Sequence, residues 1–264
     1  MFAYADETET PERDLSGVAA YVFSDYGAKQ FRHFYESNIH NRIPLNKHGV
    51  RIYHTSRCAT GNREYEGMND SERKQIIDLM VQCISQSATL GVAILLPRAE
   101  YEKARDASPP VVECSGSSYS VCLLRCMNII CEWLDQKDLG GGIDYVFESG
   151  DGYQREANDF LRRISLSPEL SKRYRMHGFS FLPKGPEVPQ LFAPDLLAWE
   201  WQRAHVNASK PQRHEWRMTL KHLFSGTPHV PLYLTATSIG IQSMINKFYS
   251  LDSTMDQYLD RRTR

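Results

Sequence analysis

The pattern of apolar and polar residues along the chain predicts an α/β protein. Short apolar stretches that are typical of strands alternate with longer stretches in which apolar residues recur at helical spacing. The predicted strands cover residues 2–5, 17–23, 50–54, 91–96, 143–147 and 179–182. A short, turn-rich connection joins the first two strands, so we expect them to form an antiparallel hairpin.

Helical spacing is clearest after residue 69, where polar capping residues precede apolar positions three or four residues apart. Further helices are predicted over residues 118–135, 153–164 and 194–204. Pro194 suits the first turn of the last of these, because the missing N–H of proline has no partner there. Two more apolar segments, around residues 216–224 and 239–248, predict a helical C-terminal extension.

The composition is typical of a globular protein. Of the 264 residues, 41% are hydrophobic and 24% are charged, with 31 Lys and Arg against 32 Asp and Glu. Disorder requires fewer apolar residues or a large net charge, and a collagen-like chain requires far more Gly and Pro. The near-neutral balance argues against a surface that is basic throughout, but is compatible with a local basic groove. The length suggests one elaborated domain or two small ones. We expect one α/β domain, residues 1–205, followed by a helical C-terminal extension, residues 206–264, packed on it.

Neither a targeting segment nor a membrane span is predicted. The chain begins without the basic and apolar segments of a secretory signal, and no stretch approaches the run of about 20 apolar residues that crosses a bilayer. We therefore expect a cytoplasmic protein with no membrane partner. The six cysteines form no Cys-x-x-Cys pair, and Cys122, Cys126 and Cys131 share one apolar segment, so we interpret these three as small buried hydrophobic residues.

Acidic residues stand at the ends of several predicted elements. Asp6 and Glu7 end the first strand, Glu148 ends a later strand, and Asp195 lies in the first turn of a late helix. Asp195 either stabilises the helix N-terminus in solvent or points into a shared site. Carboxylates brought together repel one another unless a cation neutralises them, and Mg²⁺ prefers such oxygen ligands. A pair of these ions can activate water for phosphodiester cleavage, but the spacing alone does not bring the acids together.

Four short motifs resemble those of the protein family called domain of unknown function 3800. Residues 3–8, Ala-Tyr-Ala-Asp-Glu-Thr, resemble the strand and Asp-Glu-Ser-Gly motif that begin its members. Residues 52–56, Ile-Tyr-His-Thr-Ser, are similar to its strand that ends in a His motif. Residues 144–148 are similar to its later strand that ends in an acid, and residues 191–198 to the start of its Leu-Gln-x-Ala-Asp-x-x-Ala helix. The motifs follow the family's order and approximate spacing from residue 1 to about 205.

This resemblance implies a ribonuclease H-like fold, with a mixed sheet of about five strands flanked by helices and an acidic, metal-binding centre. It implies that Asp6, Glu148 and Asp195 are catalytic and bind Mg²⁺ or Mn²⁺, and that Glu7 is a further catalytic residue beside them. The chain departs from the family's motifs at four positions, which are Thr8, Glu9, Phe192 and Pro194. All three predicted metal ligands are nevertheless acids.

Other acids and one histidine remain candidates. In the wider fold an acid on the first long helix or after the fourth strand also binds metal, so Glu72, Asp78 and Glu100 are rival ligands. His54 precedes Cys58 by four residues, a pair that suits metal binding or acid/base chemistry. The alternative for His54 is a hydrogen-bonded structural role, which is more common for a single histidine.

Basic residues outnumber acidic ones between Arg155 and Arg217. The stretch also contains aromatic residues, a combination typical of a surface that follows a phosphate backbone and stacks on bases. The alternative is a solvated helical face. The residues predicted to bind nucleic acid are Arg162, Arg163, Lys172 and Arg173, in a stretch that also includes Arg175 and Lys184.

Together these patterns favour a metal-dependent nuclease or a related phosphodiester-cleaving enzyme, with nucleic acid as its partner. No Ser-His-Asp signature, nucleophile elbow or dinucleotide fingerprint occurs, so no nucleotide cofactor is expected. The sequence does not distinguish DNA, RNA and nucleotide substrates. The alternative is a non-catalytic module on the same fold that binds nucleic acid or protein, in a defence or mobile-element system, with motifs altered through loss of activity.

Overall fold

The computed structural model describes residues 1–10, 14–107, 117–150, 152–208 and 217–235, and within these ranges six β-strands form one mixed sheet. In chain order the strands are β1 (Phe2–Thr10), β2 (Leu15–Phe23), β3 (Leu90–Pro97), β4 (Ile143–Glu148), β5 (Met176–Leu182) and β6 (His229–Tyr233). Their order across the sheet is β5-β4-β1-β2-β3-β6. Strand β2 runs antiparallel to β1 and β3, whereas β4 is parallel to β1 and β5. The carboxyl ends of β1, β4 and β5 therefore lie at the same end of the sheet.

Helices cover both faces of the sheet, which confirms the predicted α/β class. The described α-helices are α1 (Asp25–Phe34), α2 (Thr55–Thr60), α3 (Asp70–Ser87), α4 (Arg98–Ala107), α5 (Ser118–Gln136), α6 (Gln154–Leu166), α7 (Pro168–Arg173), α8 (Phe192–Ala208) and α9 (Met218–Gly226). Across the described ranges, none of them combines the length and apolar character that crossing a membrane requires.

Two apolar clusters lie on opposite faces of the sheet. One cluster, here called the α5 face, contains residues of α5, α6 and α7 such as Leu123 and Phe160. The other, the α8 face, contains residues of α1, α3, α8 and α9 such as Leu196. Side chains alternate between the faces along each strand, so that β1 buries Ala5 on the α5 face and its neighbour Tyr4 on the α8 face.

Helices α3 and α5 form where the sequence predicts them. Helix α3 begins with a capping box, in which the Asn69 side chain accepts the backbone N–H of Glu72 and the Glu72 carboxylate accepts that of Asn69. Both bonds satisfy N–H groups that the first helical turn leaves without intrahelical partners. Helix α5 buries Cys122, Cys126 and Cys131 among apolar side chains, as predicted.

The predicted strand at residues 50–54 is wrong. This segment is a loop on the α8 face, where Tyr53 is fully buried and Ile52 partly buried, while Val50 is 39% exposed. The ring of Tyr53 contacts that of Phe192 in α8, with the ring centroids 6.0 Å apart. The buried residues of the segment therefore pack against a helix and do not extend the described sheet.

The C-terminal part of the described chain is not helical throughout. Helix α9 forms near the predicted segment 216–224, but β6 follows it and pairs in parallel with β3, which gives six described strands where about five are predicted. Pro231 lies within β6, a position that an edge strand tolerates because one of its sides needs no ladder hydrogen bond. The predicted helix at residues 239–248 lies outside the described residues.

Candidate active site around a buried lysine

Asp6 and Glu148 lie at the carboxyl ends of two neighbouring parallel strands. Strands β1 and β4 pair through Ala5 and Phe147, the residues directly before the two acids. Because Ala5 and Phe147 are buried on the α5 face, both acids point toward the α8 face. Asp6 is itself buried, and its Oδ1 accepts the backbone N–H of Glu7 at 2.9 Å.

Asp195 reaches the same place from a helix. Helix α8 packs across the α8 face through residues such as Phe192 and Leu196, and Asp195 lies in its first turn. The Oδ2 atom of Asp195 accepts both the backbone N–H and the hydroxyl of Thr55, each at 2.7 Å. Thr55 is the first residue of α2. Asp195 is therefore half-buried and held against α2 by these two bonds, and it does not serve simply as a solvated helix cap.

The three acids converge on the ammonium group of Lys184. Its Nζ lies 2.8 Å from Oδ2 of Asp6, 2.5 Å from Oε2 of Glu148 and 3.5 Å from Oδ1 of Asp195. Only 5% of the Lys184 side chain is exposed. Since all three oxygens lie within 3.5 Å of one nitrogen atom, no two of them are further apart than twice that distance. The structure thus brings together three acids from three separate elements around one buried cation.

Strand β5 positions Lys184. In the register of β5 against β4, Leu182 lies opposite Glu148 and packs against the α8 face. Lys184 follows two residues later, in a bend just after the strand, and its ammonium group lies among the acids on this face. The chain then turns, and the N–H of Val188 donates to the carbonyl of Gly185 at 3.1 Å. The lysine therefore enters the cluster from the end of a strand, directly beside the acids.

Burial and charge act in opposite directions on the groups of this cluster. Burial raises the pKa of Asp6, Lys184 opposes the shift, and the charges of Asp195 and Glu148 add to it, so that the pKa is about 7. Burial also raises the pKa of Asp195, but Lys184 and the two bonds from Thr55 outweigh it, so this carboxyl titrates below its ordinary range. Burial lowers the pKa of Lys184, yet the three carboxylates outweigh that effect and hold the amine charged.

One ammonium group does not neutralise three carboxylates. Near neutral pH the cluster keeps a negative excess, which Asp6 relieves by binding a proton, as its raised pKa indicates. A divalent cation would relieve the same excess. The cluster is therefore suited to releasing the proton of Asp6 when a divalent cation binds.

His54 adjoins the cluster, whereas Cys58 does not take part in it. Burial lowers the pKa of His54, and Arg57 lowers it as well, while Asp195 opposes the shift, so the imidazole is mainly neutral at pH 7. The thiol of Cys58 is buried and points to the carbonyl of Arg73 at 3.6 Å, and burial raises its pKa to about 12. The two residues do not act as a pair.

Within the part of the chain that the structure describes, no three His, Cys, Asp or Glu side chains are arranged to hold a metal ion. The physical reason is that Lys184 Nζ takes the position between the three carboxylates. The chemistry of the donors nevertheless suits Mg²⁺ or Mn²⁺, since both prefer carboxylate oxygens. The site fits such an ion on the condition that the flexible lysine side chain withdraws.

The structure does not bring the other predicted acids to this site. Glu7 follows Asp6 in β1 and therefore points to the opposite face of the sheet. Glu72 closes the capping box of α3, Asp78 pairs with Lys74 on the surface of the same helix, and Glu100 pairs with Lys103 in α4.

The predicted nucleic-acid-binding residues also lie elsewhere. Arg162, Arg163, Lys172 and Arg173 are exposed on α6 and α7, the helices that pack on the α5 face. Arg173 lies over the ring of Tyr174 and donates to Asn128 of α5. These cations are therefore on the other side of the sheet from the acid cluster.

The sequence patterns do not identify two residues of this site. They place Lys184 in the basic stretch on charge alone and give Thr55 no role beyond its motif. A signal for Lys184 existed, because it follows a strand that ends at the same end of the sheet as Asp6 and Glu148.

Comparisons with known proteins add no further constraint. No model of a known protein family matches this chain, and searches of curated proteins and of solved structures found no significant similarity.

Proposed function

We propose that the cluster of Asp6, Glu148, Asp195 and Lys184 is the active site of a divalent-metal-dependent, phosphodiester-cleaving enzyme of the nuclease type. The observation that carries this proposal is the convergence of three acids from β1, β4 and α8 on one cation position. The mixed sheet with helices on both faces supports the further proposal of a ribonuclease H-like fold.

The three carboxylates would hold the metal ion. Mg²⁺ or Mn²⁺ supplies a Lewis acid that lowers the pKa of water and stabilises charge on phosphate oxygens. Asp6 must lose its proton to serve as a ligand, and Thr55 keeps Asp195 ionised and correctly oriented.

Lys184 has two tasks in this proposal. In the free protein its ammonium holds the three acids together against their mutual repulsion. Once it withdraws from the centre, its long flexible side chain can donate to a phosphate oxygen of the substrate beside the acids. The neutral imidazole of His54 adjoins the same acids and is suited to accept a proton from water.

A cleavage assay tests the proposal. Labelled DNA and RNA oligonucleotides are incubated with the protein in Mn²⁺, and products are separated on a gel. We expect cleavage that EDTA abolishes and that Asp6→Asn and Asp195→Asn each reduce by about a hundredfold or more. Asp78→Asn, which removes a surface carboxylate outside the cluster, is the matched control and should cleave like the wild type. Absence of cleavage, or equal cleavage by all four proteins, would refute the proposal.

A second candidate is a non-catalytic binding module on the same fold. The observation that favours it is that Lys184 already occupies the centre of the cluster with three ion pairs. This candidate predicts that the protein binds oligonucleotides equally well in EDTA and in Mn²⁺ and never cuts them. Metal-dependent cleavage would exclude it.

A further inference from the structure

A cleft of about 720 Å³ opens on the protein surface beside α2. The loop before α2 forms one wall, and α2 with the turn after it forms the other. The charged side chains that line the cleft are Lys47, His48, Arg57, Arg63 and Glu64. A volume of this size accommodates a nucleotide-sized ligand and exceeds what a single phosphate group fills.

The lining of the cleft is positively charged. Arg57 forms an ion pair with Glu64 at 3.2 Å, and the side chain of Glu64 is only 5% exposed. This pair removes one of the three permanent positive charges. Lys47 and Arg63 are exposed, and among the described residues neither forms an ion pair. Two cations thus face the cleft from its two walls.

The loop that carries Lys47 has a defined shape. The Asn46 side chain accepts the backbone N–H groups of His48 at 2.9 Å and Val50 at 3.1 Å. The N–H of Asn46 also donates to the carbonyl of Val50 at 2.9 Å, and Gly49 takes a φ of 74°, which favours glycine. Lys47 is therefore presented by a closed, hydrogen-bonded loop.

Helix α2 links the cleft to the acid cluster. Arg57, which lines the cleft, and Thr55, whose N–H and hydroxyl donate to Asp195, lie two residues apart in this helix, a rise of about 3 Å. A polyanion in the cleft would therefore lie near the residue that holds Asp195.

We propose that this cleft binds the phosphodiester backbone of a nucleic acid and leads it to the acid cluster. This inference rests on the proposed function for the cleavage of the bound nucleic acid. Binding in the cleft does not require cleavage. Lys47 and Arg63 contact phosphates on the two sides of the cleft, while Arg57 stays paired with Glu64. Under this proposal, the exposed cations of α6 and α7 do not hold the nucleic acid at the acid cluster.

The test is a binding titration in EDTA, so that metal-dependent cleavage does not interfere. The probes are fluorescein-labelled single strands of about 20 nucleotides, one of DNA and one of RNA with the same sequence, followed by anisotropy at several salt concentrations. The cleft variant combines Lys47→Ala with Arg63→Asn. Asparagine is chosen because Arg63 has a φ of 57°, a left-handed conformation that Asn tolerates.

Two further double variants each remove the same number of charges. Lys29→Ala with Lys137→Ala is the matched control, because both residues are exposed, lie outside the cleft and form no ion pair with the described residues. Arg162→Ala with Arg163→Ala tests the rival surface on α6. Circular dichroism establishes that each variant is folded, and Lys47→Arg alone should bind like the wild type because it keeps the charge.

We expect the cleft variant to lose about tenfold or more in affinity and to lower the slope of log affinity against log salt by about 1 to 2. The affinities of the wild type for the DNA strand and the RNA strand show which of the two the cleft prefers. The inference is overturned if the wild type binds neither strand, if the cleft variant binds no more weakly than the control, or if the α6 variant loses more affinity. Intact binding without cleavage would count against the proposed function alone.

Discussion

Lys184 and the three carboxylates around it form a group whose members depend on one another. Removing the ammonium leaves Asp6, Glu148 and Asp195 close together with no positive charge between them. Breaking a buried ion pair from one side costs much more than a surface pair contributes, because the remaining charge stays uncompensated. The stability of the protein should therefore respond strongly to this one side chain.

For Lys184→Met, we expect the free energy of unfolding to fall by about 3 to 5 kcal/mol in urea at neutral pH. The loss should be smaller at acid pH, where the carboxylates become protonated and no longer repel one another. Lys137→Met, at an exposed position after α5, is the control and should change stability by less than about 0.5 kcal/mol. Equal effects of the two substitutions would contradict the buried network.

The pKa of Asp6 predicts a pH dependence. Its value in the folded protein is about 7, above the ordinary 3.8, so the folded state binds a proton that the unfolded state has released between these values. The stability that this proton confers is present at low pH and is lost as the pH rises toward 7. Urea unfolding of the wild type and of Asp6→Asn, which does not titrate, should show the wild type losing stability relative to the variant over this range. A constant difference would show that the carboxyl is not perturbed.

The site is assembled by elements that meet at their ends. Strands β1 and β4 deliver Asp6 and Glu148, β5 delivers Lys184, and α8 and α2 join through Asp195 and Thr55. Each of these elements is held by its own apolar contacts, so the polar groups are positioned before any ligand arrives. Groups that orient metal ligands in this way also set the metal affinity of protein sites.

Thr55→Val tests the junction between α2 and α8. The substitution keeps the shape of the side chain but removes the hydroxyl that donates to Asp195, so the pKa of Asp195 should rise and Mn²⁺ affinity should fall about tenfold or more. Thr60→Val is the matched control on the same helix, because its hydroxyl donates to the Ser56 carbonyl and not to Asp195. Isothermal titration of both variants gives the comparison. Equal affinities would show that Thr55 does not orient the ligand.

Gly91→Ala tests the docking of β6 on the sheet. A Cβ atom at Gly91 would overlap the ring of His229, whose Nε2 lies 2.7 Å from the hydroxyl of Tyr21. We expect a loss of about 1 to 3 kcal/mol in unfolding free energy from this overpacking. Gly67→Ala is the control, since nothing lies within 4 Å of its added methyl group. If the two variants are equally stable, β6 does not pack on β3 as described.

Across the whole molecule, the sheet separates the acid cluster from the exposed cations of α6. The cluster and the basic cleft beside α2 lie with the α8 face, whereas the exposed Arg162 and Arg163 lie on the helix that covers the α5 face. The near-neutral net charge of the chain thus averages over acidic and basic regions. Under the proposed function, the basic cleft would supply the positive charge that attracts a polyanionic substrate.

Much of this arrangement follows from local patterns in the sequence. Apolar periodicity gives most strands and helices, and it places Asp6, Glu148 and Asp195 at element ends. Their convergence requires the knowledge that β1 and β4 are parallel neighbours, which local periodicity does not contain. The position of Lys184 depends on the register of β5, and a flexible four-carbon side chain leaves no periodic signal of its own. The loop around Asn46 is held by specific hydrogen bonds that apolar periodicity does not reveal. The apolar residues at 50–54 therefore predict a strand that does not form.

A calorimetric titration of the protein with Mn²⁺ at about pH 8, where Asp6 is ionised, distinguishes a metal site from a purely structural ion-pair cluster. We expect saturable binding by the wild type and affinities about tenfold or more weaker in Asp6→Asn and Asp195→Asn. We also expect tighter binding by Lys184→Met, because the ammonium no longer competes for the centre of the cluster. An absence of saturable binding, or the same affinity in all four proteins, would contradict the proposed metal site.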